Sequence, residues 1–366
     1  MIQLLPNTFW MVTNYTCNNR CLYCYATEGC REFSQSQDVM DFDYATEVME
    51  EMKRCNAEHC LLIGGEPTLY PRLLDLISFG TKIGLKMKLV SNGRRLSDRE
   101  FVRQMKGAGL VHSSVSIEGA TAEKHNEITQ SKSFQESCEG LQNLIREDVS
   151  CNSIQTISLL NLEDVIPLAR MVHGFGVKNI LYNFNLPSVG VHGIESCSSP
   201  DPQQCADIIS AAYLRLKTEG IKVSFFATLP LCLFDQNVLQ QMMAEGVIGR
   251  NYHCHIFYGT GAAFEPNGNV LPCTHFVNSP LFNAKGSDGH FAYTGKFDQE
   301  WEEGIHKQFI ETAWRYPTEH CKTCSMWGKC FGGCPFLWMH FCPDDFIRKE
   351  VMQNGSYPTP VGAQRS

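Results

Sequence analysis

Three features are scarce in this sequence, and each scarcity excludes a class of protein. The formal net charge is −8, so the chain lacks the basic excess of a protein whose main partner is nucleic acid. No apolar run approaches the ~20 residues that a membrane-spanning helix needs. The first residues, MIQLLPNTFWMV, have no basic leader and no small-residue cleavage site. We therefore expect no signal peptide, no membrane partner and a cytoplasmic location.

Cysteine, in contrast, is abundant, with 18 in 366 residues. In a cytosolic chain, clustered cysteines favour metal binding over disulfides. The hydrophobic content of 43% and the charged content of 19% are typical of a folded globular protein. The length suffices for one large or two ordinary domains.

Short apolar segments alternate with segments of helical spacing, a rhythm typical of βα units around a parallel sheet. The pattern predicts six strands, Thr8–Thr13, His59–Ile63, Lys86–Ser91, His112–Ile117, Ser153–Leu159 and Lys178–Phe184. It predicts helices between them at Asp43–Arg54, Tyr70–Gly80, Asp98–Ala108, Phe134–Arg146 and Glu163–Gly174. A loop at Ser188–Pro202, a helix at Gln203–Thr218 and a strand at Lys222–Phe226 are predicted to follow.

The segment Cys17-Asn-Asn-Arg-Cys21-Leu-Tyr-Cys24 supplies three thiolates in a CxxxCxxC spacing. Iron–sulfur clusters are normally held by four cysteines. A three-cysteine loop would therefore leave one iron free to bind something else. A zinc site or an incidental cluster of cysteines is the alternative, although only Cys21 and Cys24 have the CxxC spacing of a zinc pair.

Polar and glycine residues follow three of the predicted strands. One apolar strand runs directly into Gly64, Gly65 and Glu66; glycines allow close approach of the backbone to a ligand, and the carboxylate can accept hydrogen bonds from an ammonium group. A tight turn with a solvated glutamate is the alternative. Other candidate hydrogen-bonding groups for a ribose or a carboxylate are Ser91, Asn92 and Ser116, although such residues are also ordinary turn residues.

The three-cysteine loop, with aromatic Tyr23 before its last cysteine, resembles the signature of radical S-adenosylmethionine (radical SAM) enzymes. The resemblance implies a partial (β/α)₆ barrel, TIM-like, with the loop after strand one and with ligands at the carboxyl ends of the strands. It implies a [4Fe–4S] cluster whose open iron chelates SAM, and an electron that cleaves SAM to a 5′-deoxyadenosyl radical, which takes hydrogen from the substrate. It also implies SAM contacts from Tyr23, Gly64, Gly65, Glu66, Ser91, Asn92 and Ser116.

The sequence departs from the family pattern at one SAM contact. Relatives often read Ser-Leu-Asp-Gly at strand four and then His-Asp-x-x-Arg, whose arginine helps to hold the SAM carboxylate. This chain has Ser116-Ile-Glu118-Gly119 and then His125-Asn-Glu-Ile-Thr129. Because a hydroxyl cannot replace a bidentate arginine without loss of charge, the contact must come from Asn92, Ser116 or a basic residue that the sequence does not locate.

A second group of cysteines occupies the C-terminal third: Cys254, Cys273, Cys321, Cys324, Cys330, Cys334 and Cys342. Their soft thiolates suit zinc or iron–sulfur clusters, and a zinc knuckle at Cys321–Cys334 is the alternative to clusters. The full spacing resembles the SPASM domain, which carries two auxiliary [4Fe–4S] clusters. The resemblance implies an inner cluster on Cys254, Cys273 and Cys334, and an outer cluster on Cys321, Cys324, Cys330 and Cys342.

The inner cluster has one cysteine fewer than the outer one. Thr260 stands near the place where relatives carry an extra cysteine. The inner cluster therefore either has an open iron that could bind substrate or borrows a ligand such as His255, His275 or Cys232. The predicted organisation is a barrel over residues 1–226, a bridging region and SPASM domain over 227–345, and a tail over 346–366. The predicted cofactors are three [4Fe–4S] clusters and SAM.

The resemblance also predicts the type of reaction. SPASM enzymes most often modify peptides, so we expect hydrogen abstraction from a peptide residue, yielding a crosslink or an oxidised side chain in a ribosomally synthesised peptide. The alternatives are the same chemistry on a small metabolite, such as a sugar or an amino-acid derivative, and a non-catalytic zinc or iron–sulfur protein. An electron donor such as a flavodoxin or ferredoxin is expected; no catalytic base is assigned.

Two details narrow the expected substrate. Sulfatase maturases carry an aspartate directly after the Gly-x₄-Cys cysteine, whereas this chain has Thr274, so that activity is not assigned. Only sixteen residues precede Cys17. A leader-binding domain is therefore expected to be absent, supplied by another protein, or unnecessary because the substrate is small.

Overall fold

The fold is known from a computed structural model, which describes most of the chain. The described residues are 5–24, 38–190, 193–195, 198–225, 229–248, 254–277, 279–303, 310 and 315–347.

The strands alternate with helices through the first two thirds of the described chain. The strands are β1 Thr8–Asn14, β2 His59–Gly64, β3 Lys86–Ser91, β4 Leu110–Ser116, β5 Ser150–Ile157, β6 Asn179–Phe184, β7 Ser188–Gly190, β8 Gly193–Glu195, β9 Lys222–Phe225, β10 Gly261–Phe264, β11 Asn269–Leu271 and β12 Phe282–Asn283. The α-helices are α1 Phe42–Arg54, α2 Leu73–Lys82, α3 Arg99–Ala108, α4 Ala122–Thr129, α5 Phe134–Arg146, α6 Val165–Gly174, α7 Pro202–Thr218, α8 Gln236–Ala244, α9 His255–Tyr258, α10 Phe297–Glu303 and α11 Pro343–Phe346. Short 3₁₀ turns include Pro67–Leu69, Arg95–Ser97 and Thr274–Phe276.

Ten of the described strands form one sheet, in the order β12-β11-β10-β1-β2-β3-β4-β5-β6-β9. Neighbours from β10 to β9 pair in parallel, and β11 and β12 add antiparallel strands at one end. Among the described strands β9 and β12 stand at the two ends and do not pair with each other, so the sheet is open, as expected for a partial barrel. All its parallel strands present their carboxyl ends at one edge, where ligands of such sheets bind.

Helices cover the outer face of this sheet. In β3, Met87 and Leu89 are fully buried beneath the helices, whereas Lys88 and Val90, which alternate with them, are half-buried on the inner face. Helix α3 shows how the helices are delimited: the Asp98 carboxylate accepts the first free N–H groups, and the helix ends at Gly109 with a φ of +108°. Such capping favours a defined helix start, and glycine tolerates the left-handed end.

The six predicted barrel strands are confirmed, with ends that differ by at most three residues. Helix α2 was predicted to start at Tyr70 but starts at Leu73. The reason is local: Tyr70 precedes Pro71 and is extended (φ −64°, ψ 125°), as residues before proline usually are. The strand predicted at Lys222–Phe226 is observed as Lys222–Phe225, and residue 226 lies outside the described residues.

Some elements were not predicted from the sequence. Helix α4 lies in a stretch without a predicted element, and the loop predicted at Ser188–Pro202 contains the antiparallel pair β7 and β8. Strand β10, from the region predicted as the second domain, pairs with β1 along Thr8–Met11. The barrel sheet therefore continues into the C-terminal region. Residues 348–366 of the predicted tail lie outside the described residues.

Aromatic side chains connect the two regions. Phe264 of β10 packs edge-on against Phe9 of β1, with ring centroids 6.2 Å apart. Phe264 also contacts Phe297, which stacks on Trp301 at 5.5 Å. All four side chains are completely buried, so burial of their large apolar surfaces holds the C-terminal region against the first barrel strand.

Across the described parts of the chain, none of the helices has both the length and the apolar character needed to cross a bilayer.

Candidate active site

The three-cysteine loop follows β1 directly, at the carboxyl edge of the sheet. Within the loop, the Cys24 N–H donates to the Cys21 carbonyl at 3.1 Å. The loop is also held from outside: the N–H groups of Arg20 and Leu22 donate to the carbonyls of Thr129 and Ile128 at the end of α4, at 2.9 and 3.0 Å. Helix α4, which sequence reasoning missed, therefore fixes the position of the loop.

A cavity of about 410 Å³ opens beside this loop. Among its lining residues are all the residues predicted for the first site, namely Cys17, Cys21, Tyr23, Cys24, Gly64, Gly65, Glu66, Ser91, Asn92 and Ser116. The structure therefore brings together side chains from the ends of β1, β2, β3 and β4. Lining residues that were not predicted include Arg20, Glu118, Thr156, Asn183 and His275; Thr156 and Asn183 lie in predicted strands near their carboxyl ends, which was an available signal.

The glycine pair after β2 makes a close backbone contact with the start of the loop. The Gly65 N–H donates to the Asn14 carbonyl at 2.7 Å. A Cβ on Gly64, whose φ is +149°, would lie 2.2 Å from that same oxygen, and one on Gly65 would lie 2.4 Å from the Tyr15 oxygen. These glycines therefore allow β2 to lie against the residues that lead into the loop.

The Glu66 carboxylate is buried and accepts hydrogen bonds from two strand ends. One oxygen accepts from the Thr68 N–H at 3.0 Å, the Thr68 hydroxyl at 2.6 Å and the Ser91 hydroxyl at 2.8 Å. The other accepts from the Asn92 N–H at 2.7 Å. Burial raises the pKa of Glu66, and these donors lower it only part of the way back. The carboxylate thus joins the ends of β2 and β3.

Asn92 connects that joint to the cysteine loop. Its Nδ2 donates to the Asn18 Oδ1 at 2.7 Å and lies 3.9 Å from the Cys17 Sγ. Burial raises the pKa of the Cys17 thiol to about 11, while the Asn19 N–H and the Asn92 amide lower it in part. Such a thiol is protonated near neutral pH. Because metals bind the thiolate form, metal binding at Cys17 must release this proton.

Glu118 is a second buried carboxyl group in the cavity. Its carboxylate accepts a hydrogen bond from the Thr156 N–H at 2.9 Å. Burial raises the pKa of Glu118 to about 7, even though the Thr156 N–H and Tyr23 lower it. Its charge therefore changes near neutral pH. Its place at the end of β4 was visible in the sequence, but no role was predicted for it.

Comparison with known proteins agrees with this geometry. Residues 11–172 match the Radical SAM superfamily. The AdoMet-dependent heme synthase of Methanosarcina barkeri is 30% identical over 266 residues, covering 70% of this chain and 73% of that protein. This chain belongs to the radical SAM superfamily. The family carries a [4Fe–4S] cluster and SAM, and its members are enzymes.

Other similar proteins extend the comparison over nearly the whole chain. The mycofactocin maturase MftC of Mycobacterium ulcerans is 24% identical over 339 residues, covering 89% of this chain and 81% of that protein. Streptococcus suis SuiB, solved bound to precursor peptide SuiA, has a TM-score of 0.72 at 14% identity, covering 95% of this chain and 76% of SuiB. The structure of anSMEcpe with bound AdoMet has a TM-score of 0.68 at 17% identity, with 90% and 89% coverage. The fold of this radical SAM enzyme is therefore that of SuiB and anSMEcpe.

The cysteines of the C-terminal region lie in two groups. Burial raises the pKa of the Cys254 thiol, and the neighbouring Cys334 and Cys273 raise it further. Burial raises the pKa of Cys321 to about 12, with smaller effects from Cys330 and Cys324. Cys254 therefore neighbours Cys273 and Cys334, and Cys321 neighbours Cys324 and Cys330, whereas Cys342 is exposed. The assignment of these cysteines to an inner and an outer cluster stays a prediction.

The turn between the two groups depends on glycine. Gly332 and Gly333, between Cys330 and Cys334, have φ values of +72° and +86°. A Cβ on Gly333 would lie 2.6 Å from the Pro230 Cδ. The chain can therefore reverse tightly between a cysteine of the outer group and one of the inner group.

The three side chains considered as an extra inner ligand lie in different places. The His275 Nδ1 is 3.7 Å from the Cys273 Sγ, and His275 also lines the cavity beside the first cysteine loop. The His255 Nδ1 is instead 3.1 Å from the Thr260 hydroxyl. The pKa of Cys232 is raised to about 12 by burial and then by Cys330 and the other outer cysteines, so Cys232 neighbours the outer group.

We predict that Glu66→Gln lowers the free energy of unfolding by about 1 to 3 kcal/mol, because the amide nitrogen cannot accept a hydrogen bond and leaves a buried N–H donor unsatisfied. Denaturant unfolding of the metal-free protein, followed by circular dichroism, measures the change. The matched control is Glu50→Gln on the exposed face of α1, which should change stability by less than about 0.5 kcal/mol. Equal stability of the two variants would contradict the role of Glu66.

Proposed function

We propose that this radical SAM enzyme takes a hydrogen atom from a C–H bond of a peptide residue and so forms a crosslink or an oxidised side chain. The observation that best supports this proposal is a single cavity lined by both the three-cysteine loop and the polar ends of strands β2 to β4. Similarity to SuiB, solved with a precursor peptide, and to anSMEcpe, solved with a Kp18Cys peptide, supports a peptide as the substrate.

In this proposal Cys17, Cys21 and Cys24 hold the first [4Fe–4S] cluster through their thiolates, and the fourth iron position serves SAM. When bound, the cluster supplies the electron that cleaves SAM to a 5′-deoxyadenosyl radical. The residues present fit these groups, because the thiols border a cavity with glycine backbone and hydroxyl groups at hand. Soft thiolates are the ligands that such clusters prefer.

The chain's own residues bind and orient SAM in this proposal. Tyr23, Gly64, Gly65, Glu66, Ser91, Asn92 and Ser116 form its contacts. The Tyr23 hydroxyl is buried beside the Glu118 carboxyl, whose pKa it lowers, and Tyr23 lines the same cavity. Because Glu66 already accepts four hydrogen bonds from protein donors, its main effect is to hold Ser91 and Asn92 in place.

The C-terminal cysteines hold two auxiliary [4Fe–4S] clusters in this proposal. Cys254, Cys273 and Cys334 bind the inner one, and Cys321, Cys324, Cys330 and Cys342 bind the outer one. The inner site has either an open iron or a fourth ligand, and the contact between His275 and Cys273 favours His275 over His255 and Cys232 for that position. The proposed domains are the barrel at 1–226, the bridging and SPASM region at 227–345 and the tail at 346–366.

A cytoplasmic location and an electron donor such as a flavodoxin or ferredoxin complete the proposal. The radical chemistry requires a low-potential electron from outside the chain. The proposed inner ligand Cys273 lies near the first cavity, because His275, whose Nδ1 is 3.7 Å from the Cys273 Sγ, lines that cavity. Auxiliary clusters held by the C-terminal cysteines would accept the electron that remains after hydrogen abstraction.

A small metabolite is the second candidate substrate. It is favoured by the heme synthase of M. barkeri, since that relative is more similar in sequence (30%) than the maturase MftC (24%). The two candidates share the radical step and differ only in the molecule that loses hydrogen.

The cluster assignment predicts a metal content and its loss in variants. Anaerobic reconstitution should give about twelve irons per chain with matching sulfide, and the reduced protein should cleave SAM to 5′-deoxyadenosine. Cys17→Ser, Cys21→Ser and Cys24→Ser should each lose about four irons and all SAM cleavage, because each removes a ligand. Iron, sulfide and zinc assays with chromatography of the nucleoside measure this.

The matched control is Cys151→Ala, which removes a half-buried barrel cysteine outside both cysteine groups and should keep full iron content and SAM cleavage. Bound zinc without SAM cleavage in the unmodified chain would overturn the enzyme assignment and favour the non-catalytic binding protein.

The peptide assignment predicts transfer of hydrogen from the substrate to SAM. A peptide encoded beside the gene should lose about 2 Da, the mass of two hydrogens, when a crosslink or an oxidised side chain forms. With deuterated side chains the same peptide should lose about 3 to 4 Da, and deuterium should appear in 5′-deoxyadenosine. Mass spectrometry of both products measures this. If deuterium reaches 5′-deoxyadenosine only from the small-molecule fraction of cells grown on deuterated medium, the substrate is a small metabolite and the peptide assignment is wrong.

The raised pKa of Glu118 predicts pH-dependent SAM binding. Above a pKa of about 7 the group is an anion that attracts the sulfonium cation, and below it the group is neutral, so affinity should rise about tenfold between about pH 6 and about pH 8. Equilibrium dialysis measures the dissociation constant. Glu118→Gln, neutral throughout, should have a flat profile at the low-pH affinity; an unchanged rise in this variant would assign the pH dependence to another group.

A further inference from the structure

The cavity beside the first cysteine loop contains few positive charges. Its lining residues include two buried carboxyl groups, Glu66 and Glu118, and two basic side chains, Arg20 and His275. The His275 Nδ1 lies 3.7 Å from the Cys273 Sγ, so this imidazole is engaged with the C-terminal cysteines. Among the described lining residues, Arg20 carries the one guanidinium, a group that stays positively charged at neutral pH.

The backbone holds Arg20 firmly at this place. Arg20 lies between Cys17 and Cys21, and its N–H donates to the Thr129 carbonyl at 2.9 Å. The next bond along, from Leu22 to Ile128, is 3.0 Å long. These two backbone hydrogen bonds hold the loop against α4. The Arg20 backbone is therefore fixed at the wall of the cavity.

The Arg20 guanidinium is available to a ligand. The side chain is exposed, and within the described parts of the chain no ion pair or hydrogen bond engages it. Arg94, another arginine near the loop, differs: its guanidinium contacts Glu136 at 2.5 Å and Ser131 at 3.1 Å as well as the Asn18 carbonyl. Arg94 therefore supports the loop, whereas Arg20 can bind a group that enters the cavity.

Thr129 lines the same cavity beside the Arg20 backbone but offers no charge. Its hydroxyl donates to the His125 carbonyl at 2.8 Å and lies 3.2 Å from the Ser133 hydroxyl. It is completely surrounded by protein, with 1% of its surface exposed. At this wall of the cavity, Arg20 is therefore the described residue that can give an anionic ligand group a cationic partner.

SAM contains one anion at neutral pH, its carboxylate, beside an ammonium and a sulfonium cation. Placing a carboxylate in a cavity with two acidic groups is unfavourable unless a cation compensates it. A guanidinium matches a carboxylate with two parallel hydrogen bonds. We propose that Arg20, within the cysteine loop itself, binds the carboxylate of SAM. This inference rests on the proposed SAM site.

The test compares SAM with decarboxylated SAM, which lacks only the group that Arg20 would bind. Arg20→Gln should raise the dissociation constant for SAM about 10-fold to 100-fold, the range expected for loss of a charge-assisted pair. The constant for decarboxylated SAM should change by less than about twofold. Equilibrium dialysis on anaerobically reconstituted protein measures both, and Arg103→Gln on exposed α3 is the matched control.

The outcomes separate this inference from the proposed function. Failure of the unmodified, reconstituted protein to bind SAM overturns the proposed function and with it this inference. Normal SAM binding by Arg20→Gln overturns the role of Arg20 alone. Equal weakening for both ligands also overturns it, because Arg20 would then support the loop and not the carboxylate.

A second measurement uses the unmodified protein and so does not depend on the variant retaining its cluster. Phenylglyoxal modifies accessible arginines, and peptide mass spectrometry reports the extent at Arg20. Saturating SAM should protect Arg20 several-fold, whereas decarboxylated SAM should leave its modification unchanged. Modification of Arg20 at the same rate with and without SAM would overturn the proposal, whatever the variant does.

Discussion

The candidate site depends on one buried carboxylate. Glu66 accepts hydrogen bonds from groups at the ends of β2 and β3, and Asn92, held by it, contacts the cysteine loop in turn. A buried charged group needs such partners, since an unpaired one is very costly. The hydrogen bonds that stabilise the buried Glu66 carboxylate therefore also set the spacing between β2, β3 and the cysteine loop after β1.

The acidic groups that line the cavity have pKa values that depend on burial and on neighbouring charges. Buried thiols have raised pKa values, and the two glutamates beside them are raised as well. Burial therefore disfavours the anionic forms of these groups, and a nearby positive charge favours them. A cation bound in the cavity would be stabilised by the same acidic groups.

Much of the fold and the first site could be predicted from the sequence because the signals are local. The six strands have short apolar runs, and Cys17, Cys21 and Cys24 form a motif of eight residues. Glu66, Ser91 and Ser116 follow from the rule that parallel strands end at one edge. The short helix α4 was missed because eight residues give little periodicity, although it anchors the cysteine loop.

Other features depend on contacts between distant parts of the chain and had no local signal. His275 reaches the first cavity only because β10 pairs with β1 and the following hairpin returns to the sheet. The proximity of Cys232 to the outer cysteines also depends on tertiary packing. The position of Arg20 beside Thr129 required knowledge of where α4 ends.

The pairing of Thr8 with Gly261 has a consequence for the order of assembly. A strand with an unpaired edge can pair with a wrong strand. Pairing of residues as far apart in the sequence as Thr8 and Gly261 is also slow in folding. As the chain leaves the ribosome, β1 can pair with β2 early, but its other edge stays bare until the C-terminal region has been synthesised. The strand that leads into the cysteine loop is therefore among the last to gain both of its neighbours.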